Sequence, residues 1–133
     1  MKVIESTIPV DIYRNLRVAA GLSPKTQEAA KTGLRNSIHS VMIQHENQVI
    51  GMGRIIGDAG CFCQVVDIAV LPEYQGQGVG KMIIRNLMDF INTNLPSSCY
   101  VSLIADGDAS FLYEKFGFKD TLPASRGMAY KVQ

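Results

Sequence analysis

Between Leu71 and Lys81 the chain reads Leu-Pro-Glu-Tyr-Gln-Gly-Gln-Gly-Val-Gly-Lys. Glycines at alternate positions, Gly76, Gly78 and Gly80, let backbone N–H groups turn toward one point. The amphipathic run that follows adds the positive end of a helix. Together Gln75, Gly76, Gln77, Gly78, Val79 and Gly80 form a cradle suited to a phosphate or pyrophosphate. Lys81 either adds charge to that cradle or stands as a solvated helix lysine. Spacing narrows the ligand. A P-loop places a glycine where Gln75 stands and a Ser or Thr where Met82 stands. The dinucleotide fingerprint places its third glycine at Lys81 and opens a parallel βαβ unit. Neither pattern is met.

Two titratable groups stand out. Asp67 interrupts the apolar run Val65-Val66-Asp67-Ile68-Ala69-Val70, on the strand face of Val65 and Ala69. A carboxylate there is costly unless it is paired or functional. It is therefore either a proton acceptor or a structural group bonded to nearby backbone or to Tyr74. His39 is a second base candidate, since an unshifted imidazole titrates near pH ~6.5. The bland alternative is a strand-edge histidine. Cys61, Cys63 and Cys99 lack the spacing and histidine partners of a zinc site. They read as small buried or half-buried thiols.

These groups need a scaffold. Val3 to Ser6 predicts a first strand. Asp11 to Ala20 predicts a helix with Ile12, Leu16, Ala19 and Ala20 on its apolar side, stopping at Gly21. Ser23-Pro24 predicts the start of a second helix over 24–36, capped by Ser23. Ser40 to His45 and Gln48 to Ile56 form a hairpin around Glu46-Asn47, and Phe62 to Val70 is the most strand-like run. A helix follows Gly80, with Ile83, Ile84, Leu87, Met88 and Ile91 on its apolar face. Tyr100 to Ala105 is another strand. Asp108 caps a short helix through Phe116, which Gly117 ends. Gly127 to Val132 closes the chain as a last strand. This order predicts an α/β fold: a mixed, mostly antiparallel sheet flanked by helices on both faces.

A length of 133 residues suits a single domain spanning 1–133. With 13 basic and 12 acidic side chains, the net charge of +1 gives no global pull toward nucleic acid or membrane. No apolar run reaches the ~20 residues that span a bilayer. The odd cysteine count and the absence of an apolar h-region in residues 1–10 point to a reducing cytoplasm.

Gln75-x-x-Gly78-x-Gly80, after Val70-Leu71-Pro72-Glu73-Tyr74, resembles the acetyl-CoA pyrophosphate loop of the GCN5-related N-acetyltransferases, the GNAT superfamily. Ala109-Ser-Phe-Leu-Tyr113-Glu-Lys-Phe-Gly117-Phe118 is similar to that family's Tyr-x-x-x-Gly-Phe segment. The resemblance covers residues 40–120 directly and the N-terminal helices by layout. It implies a GNAT-like fold, acetyl-CoA as cosubstrate with no metal, and transfer to an amine. It further implies that backbone groups of Ile68, Ala69 and Val70 pair with the pantetheine arm as an added strand would. Amides from Gln75 to Gly80 would then hold the pyrophosphate, and Tyr113 would act as general acid on the leaving sulfur. The alternative for Tyr113 is a core tyrosine packed with Ala109 and Phe116. The resemblance also implies that an acidic residue at this place in the strand, here Asp67, accepts the amine proton, directly or through water. Asp106 departs from the family's common Asn, so its cofactor contact would run through backbone or water.

The expected acceptor is a primary amine of a small molecule, a class suggested by likeness to arylalkylamine and aminosugar acetyltransferases. No cysteine sits in a nucleophile setting, so direct attack in a ternary complex is expected. Another acyl donor, a non-catalytic acyl-CoA-binding module and a protein-lysine acetyltransferase are the alternatives. A homodimer is expected, with Met128 to Val132 as its exposed edge.

Overall fold

The apolar runs between His39 and Val70 become the three central strands of a five-stranded sheet. The computed structural model describes residues 1–133. Two compact units divide them, Met1–Leu103 and Ile104–Gln133. The first holds β1 (Lys2–Ile4), α1 (Val10–Ala19), α2 (Gln27–Arg35), β2 (His39–His45), β3 (Gln48–Gly57), β4 (Phe62–Val70), α3 (Val79–Asn94) and β5 (Tyr100–Ser102). Strand order follows the chain, β1 to β5. The first four strands are antiparallel neighbours, and β5 lies parallel to β4.

Strand alternation divides the core between two faces. Met42, Met52 and Ala69 pack against Tyr13 and Leu16 of α1 and Ala30 and Leu34 of α2. The opposite face receives α3, which buries Val79, Ile83, Ile84, Leu87 and Ile91. Gly53 makes this approach close: a Cβ there would lie 2.6 Å from Ile83 Cγ2. The mixed sheet with helices on both faces is thus the architecture expected from the sequence.

Several elements differ from expectation, each for a physical reason. The buried side of α1 is Tyr13, Leu16 and Arg17, while Ala19 is exposed. The second helix starts at Gln27, not Pro24, because Ser23 is occupied elsewhere: its carbonyl and hydroxyl accept from Arg17 Nε at 2.8 Å and Nη2 at 3.1 Å. Thr26 caps that helix instead, accepting from the Ala29 amide. Strand β5 ends at Ser102 rather than Ala105, where its ladder with β4 stops.

The unit of residues 104–133 contains a 3₁₀ turn, Gly107–Ala109, and α4, Ser110–Glu114. Neither is capped by an aspartate side chain, contrary to the role expected of Asp108. Gly117 adopts φ 97°, and the Phe118 amide donates back to the Tyr113 carbonyl at 3.3 Å. Gly127 to Val132 is not a strand. Its alternation of Met128, Tyr130 and Val132 has no neighbouring ladder, and all three side chains are exposed. Alternation makes a strand only where a partner supplies the hydrogen bonds.

Candidate active site

The site begins where β4 and β5 part. Their parallel pairing covers only Phe62–Gln64 against Tyr100–Ser102. Beyond Gln64, β4 has a strand partner on its β3 side alone. The Leu71 amide donates to the Ile50 carbonyl at 2.9 Å, so alternation turns Val70 toward the open side. There the Val70 carbonyl accepts from Gln75 Nε2 at 3.1 Å. Ile68, Ala69 and Val70 therefore lie along a strand edge able to receive an extended ligand.

The glycine-rich loop follows at once. After a 3₁₀ turn at Pro72–Tyr74, Gly76 and Gly78 take φ of 80° and 84°. Those values exclude most L side chains. Gly78 is the N-cap of the 16-residue α3, and no side chain caps that end. The first amides of a helix lack internal acceptors, so those of Val79, Gly80 and Lys81 are free to bind an anion. A Cβ at Gly76 or Gly78 would meet nothing within 4 Å, so the cradle stands open. Gln77 Nε2 donates to the Glu73 carbonyl at 3.2 Å and braces the loop. Lys81 is exposed on the first turn of α3, placed to add positive charge. The residues present therefore fit a pyrophosphate.

Asp67 is held differently from either sequence reading. Its carboxylate is 6% exposed. One oxygen pairs with Arg17 Nη1, and the other accepts from Arg54 Nε at 2.6 Å and from the Tyr13 hydroxyl at 3.0 Å. Its partners are two arginines and a tyrosine, not Tyr74 or backbone. Burial, then the charge and hydrogen bond of Asp67, raise the Tyr13 phenol above 10.0, so it stays a proton donor at neutral pH. Both oxygens of this carboxylate are thus occupied by donors from α1 and β3. Asp67 also has φ 59°, in the left-handed region. Met52 pairs with Ala69 and Arg54 with Val66, so β4 spends one more residue than β3 here, a β-bulge.

His39 lies elsewhere. Its Nε2 is 2.8 Å from Asn86 Oδ1 and 3.3 Å from Glu5 Oε2, and its ring stacks on Phe90 at 4.3 Å. Asn86 stands seven residues beyond Val79, roughly 10 Å along α3 from the cradle. The second base candidate is thus paired with Asn86 and Glu5 and stacked on Phe90.

In the unit of residues 104–133, Tyr113 sits on α4, its ring edge-on to Phe118 at 6.3 Å. Burial raises its phenol above 10.0, and the Asp106 carboxylate raises it further. Tyr113 is therefore protonated at neutral pH. Asp106 itself is exposed, and its clearest influence is on that phenol.

Tyr13, Arg17 and Arg54 escaped the sequence reading. A signal was present: Arg54 interrupts an apolar strand as Asp67 interrupts its neighbour, with opposite charge. Tyr13 and Arg17, four residues apart, share a helix side.

An antiparallel sheet parted from a parallel fifth strand, with a glycine-turned helix end at the parting, is the fold of the GNAT acetyltransferases. A family model described as acetyltransferase (GNAT) domain matches residues 36–120, and the chain belongs to that family. A solved structure of a probable acetyltransferase of unknown function from meticillin-resistant Staphylococcus aureus is 48% identical, with a TM-score of 0.94 over 98% of each chain. The [ribosomal protein bS18]-alanine N-acetyltransferase of Haemophilus influenzae is 32% identical over 90% of this chain and 83% of its own. The chloroplastic GCN5-related N-acetyltransferase 2 of Arabidopsis thaliana is 33% identical over 64% of this chain, which spans 32% of that protein's length.

Proposed function

We propose that this chain is a single catalytic domain that transfers the acetyl group of acetyl-CoA to a primary amine of a small molecule, by direct attack within a ternary complex. The observation that carries the reading is the open β4 edge running directly into an uncapped, glycine-turned helix N-terminus. The family match at 36–120 crosses the boundary between the two units, which supports treating them as one domain. When bound, acetyl-CoA supplies an acetyl group activated as a thioester. Backbone groups of Ile68, Ala69 and Val70 hold the pantetheine arm, and the Val70 carbonyl shares its second lone pair with Gln75. The amides from Gln75 to Gly80 hold the pyrophosphate, helped by Lys81. Asp106 serves through the charge it presents to Tyr113. Tyr113 Oη carries the proton that the leaving sulfur needs.

With Asp67 paired to two arginines and His39 to Asn86 and Glu5, the amine enters as its free base. A thiol-release assay with acetyl-CoA across polyamines, aminosugars, arylalkylamines and amino acids tests this. The acid limb of kcat/KM should track each acceptor's own amine pKa. A limb at one fixed pH for every acceptor would restore a side-chain base.

A second reading is favoured by the similarity to an enzyme named for ribosomal protein bS18 alanine. Here the acceptor is the terminal amine of a protein, and peptides with N-terminal alanine belong in the same panel. Turnover of peptides alone would replace the small-molecule reading.

We place the protein in the cytoplasm, on its odd cysteine count, and expect a homodimer through exposed Met128, Tyr130 and Val132. Sedimentation equilibrium at micromolar concentration should give twice the chain mass. A single monomer species would reject the dimer.

A further inference from the structure

We infer that Asp67 is a positioning residue that sets the cofactor edge of β4, rather than the group that takes the amine proton. The inference rests on the acetyl-CoA reading above. Asp67 is the residue with left-handed backbone at the bulge, and Ile68–Val70 follow it directly. A bulge decides register. Without the extra residue, β4 beyond it would slip by one against β3, and groups facing the open edge would exchange with groups facing β3. The conformation of one residue thus determines which amides and carbonyls of Ile68–Val70 are offered to a ligand.

The backbone alone does not call for aspartate here. Glycine takes a φ of 59° with less strain. What aspartate adds is a counter-charge for Arg17 and Arg54, whose side chains are about one-tenth exposed. Each arginine also donates to groups on other elements. Arg17 donates to the carbonyl and hydroxyl of Ser23. Arg54 donates to the Gly33 carbonyl at 3.2 Å and the Ser37 hydroxyl at 3.1 Å. The cluster therefore ties α1, the α1–α2 connection, α2 and β3 to the bulge residue of β4. Removing the carboxylate leaves two facing guanidinium groups with nothing to hold the bulge, and their repulsion pushes it open.

Asp67→Asn is the main test, because asparagine tolerates left-handed backbone and keeps the side-chain size while losing the charge. Coenzyme A binding by isothermal titration calorimetry should weaken about tenfold or more, as expected for a misplaced binding edge. The KM for acetyl-CoA should rise in step, with kcat at saturation within about threefold of wild type and its acid limb unmoved. A proton acceptor gives the opposite result: unchanged coenzyme A affinity, kcat lower by about 10²-fold, and a displaced acid limb. A purely structural carboxylate lowers Tm, while the folded protein keeps wild-type coenzyme A affinity. Either outcome overturns the inference. Tyr13→Phe is the milder second variant. It keeps the ring, removes one donor to Asp67, and should weaken coenzyme A binding by about two- to fivefold. Wild-type protein that binds no coenzyme A would remove the acetyl-CoA reading itself. Wild-type affinity in both variants would remove only this inference.

Discussion

Gly78→Asp should abolish acetyl-CoA binding while leaving the fold intact. Gly78 sits at φ 84° at the N-cap of α3, and a Cβ there meets nothing within 4 Å. Aspartate and asparagine are the side chains best able to adopt that backbone conformation. A carboxylate at a helix N-terminus also favours the macrodipole. The ligand-free variant should therefore still fold, melting within a few degrees of wild type, since the strain of φ 84° and the dipole gain oppose each other. For the ligand the same charge is ruinous. At about 5 Å and an effective dielectric of about 20, repulsion between a carboxylate and one phosphate charge is about 3 kcal/mol. That is at least two decades in Kd. The melting-temperature rise produced by acetyl-CoA should vanish. Gly78→Asn carries the same shape without the charge and should stay within about tenfold of wild type. Equal affinity in the aspartate variant and wild type would mean that the loop does not hold the pyrophosphate.

Tyr113→Phe should lower kcat by about 10²-fold with little change in acetyl-CoA affinity, the usual worth of a positioned general acid. The ring and its contact with Phe118 remain, so packing is kept. Only the Oη proton is lost. Its pKa sets the expected pH behaviour. Burial and then Asp106 raise it above 10.0, so the neutral, donating form persists through the whole neutral range. Activity that depends on this proton is present below the phenol's pKa and lost as pH rises through it. The wild-type alkaline limb should therefore lie above the ordinary tyrosine range, and the phenylalanine variant should lack it. Asp106→Asn removes one of the two causes and should move that limb down. A core tyrosine behaves otherwise: losing its hydroxyl would cost ~1 kcal/mol of stability and leave turnover alone. Wild-type kcat in Tyr113→Phe would assign the acid to another group.

The elements carrying the candidate site were legible because their signals are local. Phe62–Val70 reads as a strand by its continuous apolar, β-branched run, and its ends are those of β4. The cradle is legible because left-handed backbone at Gly76 and Gly78 is a demand that glycine alone meets cheaply. The apolar stripe of α3 follows from helical period, and Ile83, Ile84, Leu87 and Ile91 are buried as that period requires. Where a signal was local but its partner was not, the reading failed. Ser23-Pro24 has the form of a helix start, yet Arg17 takes the Ser23 hydroxyl and Thr26 becomes the cap. Gly127–Val132 alternates like a strand but has no ladder to join.

Asp67 shows the division most clearly. Its presence in an apolar strand announces, by desolvation cost alone, that something must compensate the charge. Which groups do so depends on residues 54, 50 and 13 positions away along the chain, brought together by the packing of α1 on β3 and β4. The sequence by itself determined the strand and the loop, since periodicity and φ preference act within a few residues. Tertiary structure alone decided that the carboxylate is paired with two arginines, that a bulge sits at its backbone, and that His39 meets Asn86 and Glu5. Ion pairing and strand register are set by distances in space, which no spacing along the chain encodes.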